Sequence, residues 1–257
     1  MNFEQIDSVK HSLDLTSDRL VEYVPYLFQD FWEMGTDTRY MIDLLRQQDS
    51  FTPDTMILDL CCGKGATLIK LVQEFGWQGI GVDIVGDFIS QANMEAFGKR
   101  VKQQVEFIEQ DISLFLKKNV KKFDIIVFSY DTQILGKLDE ALETLSHHLS
   151  SDGYVIIEAD YQSYQFAIGL EESETESAED LIIKSPLNIV AKQVWDHVQH
   201  NQQNQHYMDW LKKRVGELKQ QKPELSREFD QFIEHQAAIT KQYKDNDISC
   251  ATWLLKK

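Results

Sequence analysis

The sequence predicts an α/β fold: an open, mostly parallel sheet with helices on both faces. Three observations carry that prediction. The apolar run Met56-Ile57-Leu58-Asp59-Leu60 contains an acid near its end, Gly63 and Gly65 follow, and the apolar residues then take helical spacing at Leu68, Leu71, Val72 and Phe75. That is strand, tight turn, helix. The pairing of a short strand with an acid at its tip recurs at 79–83, at 105–112 and at 123–131. At 257 residues the chain has room for one such core plus an insertion, and a single domain is expected.

In chain order, residues 1–14 are polar and mixed, and read as a loosely held leader. From Leu15 to Leu45 apolar residues recur at helical intervals, broken at Pro25 and by a turn at Gly35-Thr36-Asp37, with Thr36 or Asp37 capping the next helix. Tyr23, Tyr26, Phe31 and Trp32 read either as walls of a substrate cavity or, preferably, as packing for the sheet flank. After the first strand–helix unit, residues 86–100 place Phe88, Ile89, Ala92 and Ala96 on one helical face. Ser113 is expected to cap a short third helix ending at Lys117 and Lys118. The Lys-rich run 117–122 reads as a solvated loop, since it lacks the interleaved aromatics of a base-stacking patch.

A fourth helix is expected over 135–149, ending at His147-His148. Adjacent histidines do not share a helix face, so contact with the helix C-terminus is preferred to a zinc site. Ser150-Ser151-Asp152-Gly153 reads as a turn, and Tyr154 to Asp160 as the fifth strand. Residues 158–180 hold eight acids and no Lys or Arg. Tyr161, Tyr164 and Phe166, beside Glu158 and Asp160, form an aromatic part that could meet an acceptor, whereas the acidic part reads as a solvated loop or helix start. Residues 187–195 and 248–255 read as a sixth and a seventh strand. Between them lie two amphipathic stretches, 205–221 and 224–243, separated by Lys222-Pro223, with Tyr207, Trp210, Leu211, Phe229, Phe232 and Ile233 as their apolar face.

The glycine turn gives the site its chemistry. A strand–turn–helix junction offers free backbone N–H groups and a positive helix end at the carboxyl edge of the sheet, where open α/β sheets bind ligands. Asp83 falls eighteen residues past Gly65, about the interval at which nucleotide-binding folds present a carboxylate to ribose. A phosphate-cradling loop is disfavoured, because the stretch around Gly63-Lys64-Gly65 has neither the first glycine nor the Lys-Ser/Thr pair that such a loop needs. A dinucleotide fingerprint is disfavoured because Leu68 stands where its third glycine belongs.

The ordered set resembles the class I S-adenosylmethionine-dependent methyltransferases, closely over residues 55–160 and more loosely elsewhere. The family's D-x-G-x-G-x-G pattern appears as Asp59-Leu60-Cys61-Cys62-Gly63-Lys64-Gly65, with Cys61 replacing the first glycine. The resemblance implies a Rossmann-like seven-stranded sheet with an antiparallel seventh strand. It also implies an N-terminal helical cap over 1–50, a core over 55–195 and 247–257, and a helical insertion over 198–245. S-adenosyl-L-methionine is the implied cofactor. Asp59, Cys61, Gly63 and Gly65 would hold its methionine part, Asp83 its ribose, and Asp111 its adenine amino group. Ile84 and Ile112 would flank the adenine ring, and Ser129 would line the sulfonium end.

Methyl transfer from a sulfonium is an in-line displacement that needs alignment of two reactants, and a general base only where the acceptor must lose a proton. Candidates for that base are Tyr130, Asp131, Glu158 and Asp160. The N/D-P-P-Y motif is absent, since Ser129-Tyr130-Asp131-Thr132 stands in its place, and no cysteine ends strand four or five. The formal charge of -16 suits neither nucleic acid nor an anionic membrane. Three cysteines form neither a disulfide framework nor a metal-ligand set, and fit a reduced, cytoplasmic setting with no metal. The expected protein is a soluble small-molecule methyltransferase, monomeric or homodimeric. The alternatives are an enzyme acting on a protein or other macromolecule, and a non-catalytic cofactor-binding module.

Overall fold

The structure is a computed structural model that describes residues 1, 3–130, 134–160, 176–245 and 250–257. Asp131, Tyr161, Tyr164, Phe166 and the acidic stretch 171–175 lie outside the described residues, as does the side chain of Asp160. The chain divides into two compact units, Glu33–Trp195 with Cys250–Lys257 and Met1–Trp32 with Asp196–Ser249.

In chain order the first of these units contains α3 (Thr38–Leu45), β1 (Met56–Leu60), α4 (Ala66–Phe75), β2 (Gln78–Asp83), α5 (Gly86–Gly98), β3 (Val105–Glu109), α6 (Ile112–Lys118), β4 (Phe123–Ser129), α7 (Leu138–Ser146), β5 (Leu149–Asp160), α8 (Ala178–Lys184), β6 (Asn188–Val194) and β7 (Cys250–Lys256). The other unit contains α1 (Phe3–Ser12), a 3-10 turn (Asp18–Tyr23), α2 (Val24–Leu27), α9 (His197–Gln221), a second 3-10 turn (Pro223–Leu225) and α10 (Ser226–Asp245).

The seven strands lie in the order β3-β2-β1-β4-β5-β7-β6. All neighbours are parallel from β3 to β5, and β7 runs antiparallel to both β5 and β6. This is the expected Rossmann-like arrangement, with an antiparallel seventh strand and a helical insertion between strands six and seven. Alternation along the strands sorts side chains to two faces. Leu58, Leu60, Ile126, Phe128, Val155, Ile157 and Trp253 join α6, α7 and α8 in one buried cluster. Asp59, Ser129, Glu158 and Thr252 point to the opposite face. Each fully buried Leu, Ile or Phe contributes about 1.5–3 kcal/mol of transfer free energy, so this cluster is a principal source of the sheet's rigidity.

Several expectations are corrected. β5 begins at Leu149, not Tyr154, because the residues read as a turn are absorbed in a bulge. Phe123 pairs with Leu149, but Ile125 already pairs with Tyr154. The Ser150 hydroxyl donates to Asp124 at 2.9 Å, and a Cβ on Gly153 would sit 3.1 Å from the Phe123 carbonyl oxygen, so glycine fits the bulge. Asp111, not Ser113, caps α6 by accepting from Leu114 N–H at 2.9 Å. α7 is shorter than expected, and the carbonyl at its end is taken by the Lys122 ammonium, which donates to His147 O. Burial, followed by Lys122 and His147, lowers the pKa of His148, which disfavours His148 as the cation of that helix end. Asp37 caps α3 as one of the two expected residues, and Ser177 and Asp180 form a capping box that starts α8.

In the helical unit, residues 3–12 form a helix instead of a loose leader, because Val9 is buried and Lys10 pairs with Asp7 and Asp18. Of the aromatics expected on the sheet flank, Tyr23, Tyr26 and Phe31 meet residues of the insertion. Tyr23 lies edge-on to Phe229 at 5.6 Å between ring centroids, and Phe31 packs on Tyr207 at 4.6 Å and on Trp210 at 5.2 Å. Leu211, Phe229 and Phe232 are buried as their spacing predicts, whereas Trp210 stays 44% exposed.

Candidate active site

Sheet order reverses between β1 and β4, which makes the carboxyl ends of these strands the switch point where ligands bind in open α/β folds. The glycine turn stands there. Cys61, Gly63 and Gly65 all take positive φ (56°, 51° and 74°), and the Gly65 N–H donates to Cys62 O at 2.8 Å. Cys61 thus adopts the left-handed backbone of the glycine it replaces, at a cost of about 1–2 kcal/mol, and its side chain is exposed. Gly65 has no space for more: a Cβ would lie 2.6 Å from Phe107 Cζ and 3.0 Å from Ala92 Cβ. Above Gly63 a Cβ would meet Met34 Cε at 2.6 Å.

Asp83, at the tip of β2, ties this turn to the next loop. Its Oδ2 accepts from Gly63 N–H at 2.8 Å and its Oδ1 from Val85 N–H at 2.9 Å. Burial raises its pKa, and the backbone donors Val85, Gly63 and Ile84 oppose that rise. Asp59 is only 4% exposed, and among the described residues its Oδ2 has no hydrogen-bond partner. Its pKa is pushed up to about 8, first by burial; the Leu68 backbone N–H opposes the shift and Asp83 adds to it. An unpartnered buried carboxylate oxygen at a ligand-binding edge calls for a donor from outside the chain. Lys64, between the two glycines, is buried with its ammonium 5.5 Å from the Phe88 ring centroid. Sequence reasoning missed it, because a lysine flanked by glycines reads as a solvated turn residue.

Of the other expected residues, Ile84 is half-buried just past β2, while Ile112 is buried with Phe115 and Leu116 in the main cluster. Asp111 spends Oδ1 on its cap. The Tyr130 hydroxyl donates to Gly136 O at 2.9 Å, and its ring is buried edge-on to Phe128. Ser129 and Glu158 are register partners across β4 and β5, and Ser129 Oγ lies 3.4 Å from Glu158 Oε2.

Glu158 is 5% exposed, and its pKa is pushed up to about 8. Burial is the largest cause; Thr252, the Asp37 backbone and Ser129 oppose it, and the Asp37 carboxylate adds to it. Thr252 Oγ1 donates to Glu158 Oε1 at 2.9 Å and receives Trp195 Nε1–H at 2.8 Å. Tyr40 stacks on Trp195 at 5.7 Å, and Asp37 is held by the Arg39 guanidinium. Asp37, Thr252 and Trp195 are the residues that sequence reasoning did not connect to the site. Among the described residues no group of three or more His, Cys, Asp or Glu side chains could hold a metal ion, and no helix is long and apolar enough to cross a membrane.

Comparison with known proteins agrees with this geometry. A methyltransferase-domain family model matches residues 51–222. A methyltransferase from Geobacter sulfurreducens, solved with S-adenosyl-L-homocysteine, is 18% identical with a TM-score of 0.71, covering 91% of this chain and 97% of its own. One from Thiobacillus denitrificans, also with S-adenosyl-L-homocysteine, is 17% identical with a TM-score of 0.68, covering 90% and 96%. Coclaurine N-methyltransferase, bound to N-methylheliamine and S-adenosyl-L-homocysteine, is 15% identical with a TM-score of 0.66, covering 99% and 86%. No curated protein matches. With its family model spanning most of the sheet and the glycine turn at the switch point, the chain belongs to the methyltransferase-domain family.

Proposed function

We propose that the chain transfers a methyl group from S-adenosyl-L-methionine to a small-molecule acceptor by direct in-line displacement. The observation that carries this reading is the Asp59 carboxylate, buried and with one oxygen lacking a donor among the described residues, beside a turn in which Gly65 leaves no space for a side chain. A ligand ammonium or N–H group satisfies that oxygen. In this reading Asp59 and the turn 61–65 hold the methionine end. Asp83, while bracing the turn, keeps lone pairs for ribose hydroxyls, and Asp111 keeps its second oxygen for the adenine amino group. Ile84 and Ile112 border the ring, and Ser129 borders the reacting end. When bound, the cofactor supplies an electrophilic methyl group on a cationic sulfur. The protein's own work is to align the reactants and exclude water.

A small acceptor is supported by the charge of -16, which repels polyanions, and by the similarity to coclaurine N-methyltransferase, whose structure holds a small organic molecule. The test is calorimetric titration with S-adenosyl-L-methionine and S-adenosyl-L-homocysteine, with Asp83→Ala as control, followed by a metabolite screen for methylated product. Micromolar binding lost in the variant is expected. Absence of binding to either ligand overturns the reading, and methyl label confined to the protein fraction of an extract overturns the small-molecule part.

A further inference from the structure

A one-way hydrogen-bond chain ends on Glu158. Trp195 Nε1 can only donate, so its hydrogen goes to Thr252 Oγ1, and the Thr252 hydroxyl hydrogen is left for Glu158 Oε1. Oε1 is therefore fixed as an acceptor, and a proton held by Glu158 resides on Oε2. That oxygen faces Ser129 at the end of β4, on the edge of the switch point. Among the described residues the groups hydrogen-bonded to Glu158 are neutral: two hydroxyls and the Asp37 backbone. The titratable group facing it from α3 is the Asp37 carboxylate, which Arg39 engages. The site thus contains a buried carboxyl whose hydrogen-bond partners among the described residues bring no cation.

We propose that Glu158 is the counter-charge of the methyl-transfer site, ionised while the cationic sulfonium is present and protonated once the sulfur is neutral. This rests on the cofactor reading above. In ligand-free protein near neutrality the carboxyl is mostly protonated, in keeping with its raised pKa of about 8. An opposite charge within about 4–6 Å favours the ionised carboxyl strongly enough to move its titration below neutrality. The Oε2 proton then leaves to solvent as the sulfonium enters.

During transfer the acceptor's lone pair forms the new bond to the methyl carbon, and the C–S bonding pair returns to sulfur. The acceptor's own proton passes to the Ser129 hydroxyl, which gives its hydrogen to Glu158 Oε2. Charge in the pocket stays balanced throughout. The acceptor class that fits is a nucleophile bearing a proton, such as an amine N–H or a hydroxyl, rather than a thioether or tertiary amine.

The test needs no acceptor. Full-length protein is titrated with S-adenosyl-L-methionine and S-adenosyl-L-homocysteine in buffers of different ionisation enthalpy at pH 7. The sulfonium ligand is expected to release nearly one proton more than the thioether ligand; the α-amino group is common to both and cancels. The ratio of the two affinities is expected to rise roughly tenfold per pH unit below about pH 8 and to flatten above it. In Glu158→Gln both differences should vanish while S-adenosyl-L-homocysteine affinity stays within about twofold. Equal proton counts for the two ligands on the wild-type protein overturn the proposal, as does a difference that persists in the variant. If Glu158→Gln does not fold, the wild-type comparison alone decides. Failure of both ligands to bind overturns the cofactor reading itself, a result distinct from equal proton counts.

Discussion

The Asp83 carboxylate accepts the Gly63 N–H at 2.8 Å, so the acid at the tip of β2 is also the strut of the turn that follows β1. A second N–H, that of Val85, depends on the same side chain. Removing it leaves two buried donors unsatisfied, each at about 1–3 kcal/mol. Asp83→Ala is therefore expected to lower chemical-denaturation stability by about 2–4 kcal/mol as well as to abolish cofactor binding. Asp83→Asn, which keeps an oxygen for one donor, should lose less. Equal stability of wild type and Asp83→Ala would mean that the strut does not bear on the fold.

Gly65 and Cys61 share a left-handed backbone but differ in their surroundings. At Gly65 a methyl group meets Phe107 and Ala92, so Gly65→Ala combines backbone strain with overpacking and should cost about 2–4 kcal/mol. At Cys61 the side chain is exposed, and Cys61→Gly relieves strain without opening a cavity. The expected gain, about 0–1 kcal/mol, is small because glycine also raises the entropy of the unfolded chain. Thermal melts of the two variants should therefore move in opposite directions or, for Cys61→Gly, hardly at all.

The strand–turn–helix at 56–75 was legible because hydrophobic period and glycine placement change together within a few residues. The start of β5 was not, since Ser150-Ser151-Asp152-Gly153 has turn composition and only the pairing with β4 turns it into a bulge. Asp59 and Asp83 were legible as acids at strand tips. The surroundings of Glu158 were not: Asp37, Trp195 and Thr252 come from three distant segments, and their meeting depends on a register that local sequence does not encode. Asp111 was legible as a ligand candidate but not as a cap, since Ser113 offered equally good capping chemistry.

Within the helical unit, Arg214 on α9 forks onto both oxygens of Asp30 (2.5 and 2.6 Å) and also reaches Glu217, which in turn accepts the Tyr26 hydroxyl. The Tyr26 hydroxyl, and after it Arg214, lower the pKa of Glu217. Planar two-point recognition suits guanidinium and not ammonium, so Arg214→Lys should fail to replace it. Hydrogen exchange is the measurement. Both Arg214→Ala and Arg214→Lys are expected to speed exchange in α2 and the middle of α9, with the sheet unchanged; protection equal to wild type in Arg214→Lys would refute the two-point role.

Glu158 also makes ligand-free stability depend on pH in a defined direction. Its folded pKa, about 8, lies above the ordinary value of 4.5, so the folded chain binds this proton more tightly than the unfolded chain. The stabilisation is complete below about pH 4.5 and is lost as pH rises through 8. Asp59, pushed up to about 8 from 3.8, acts in the same sense. Glu158→Gln fixes a neutral side chain in the same space and removes one of these two contributions. Relative to wild type, the variant should gain stability as pH rises from 5 to 9, by roughly 1–3 kcal/mol, with the remaining slope carried by Asp59 and by the other carboxyls that burial raises, Asp83 and Asp14. Denaturant titrations of both proteins at pH 5, 7 and 9 measure this. Parallel curves would show that Glu158 is already ionised in the ligand-free protein, and that a cation or bound water compensates it.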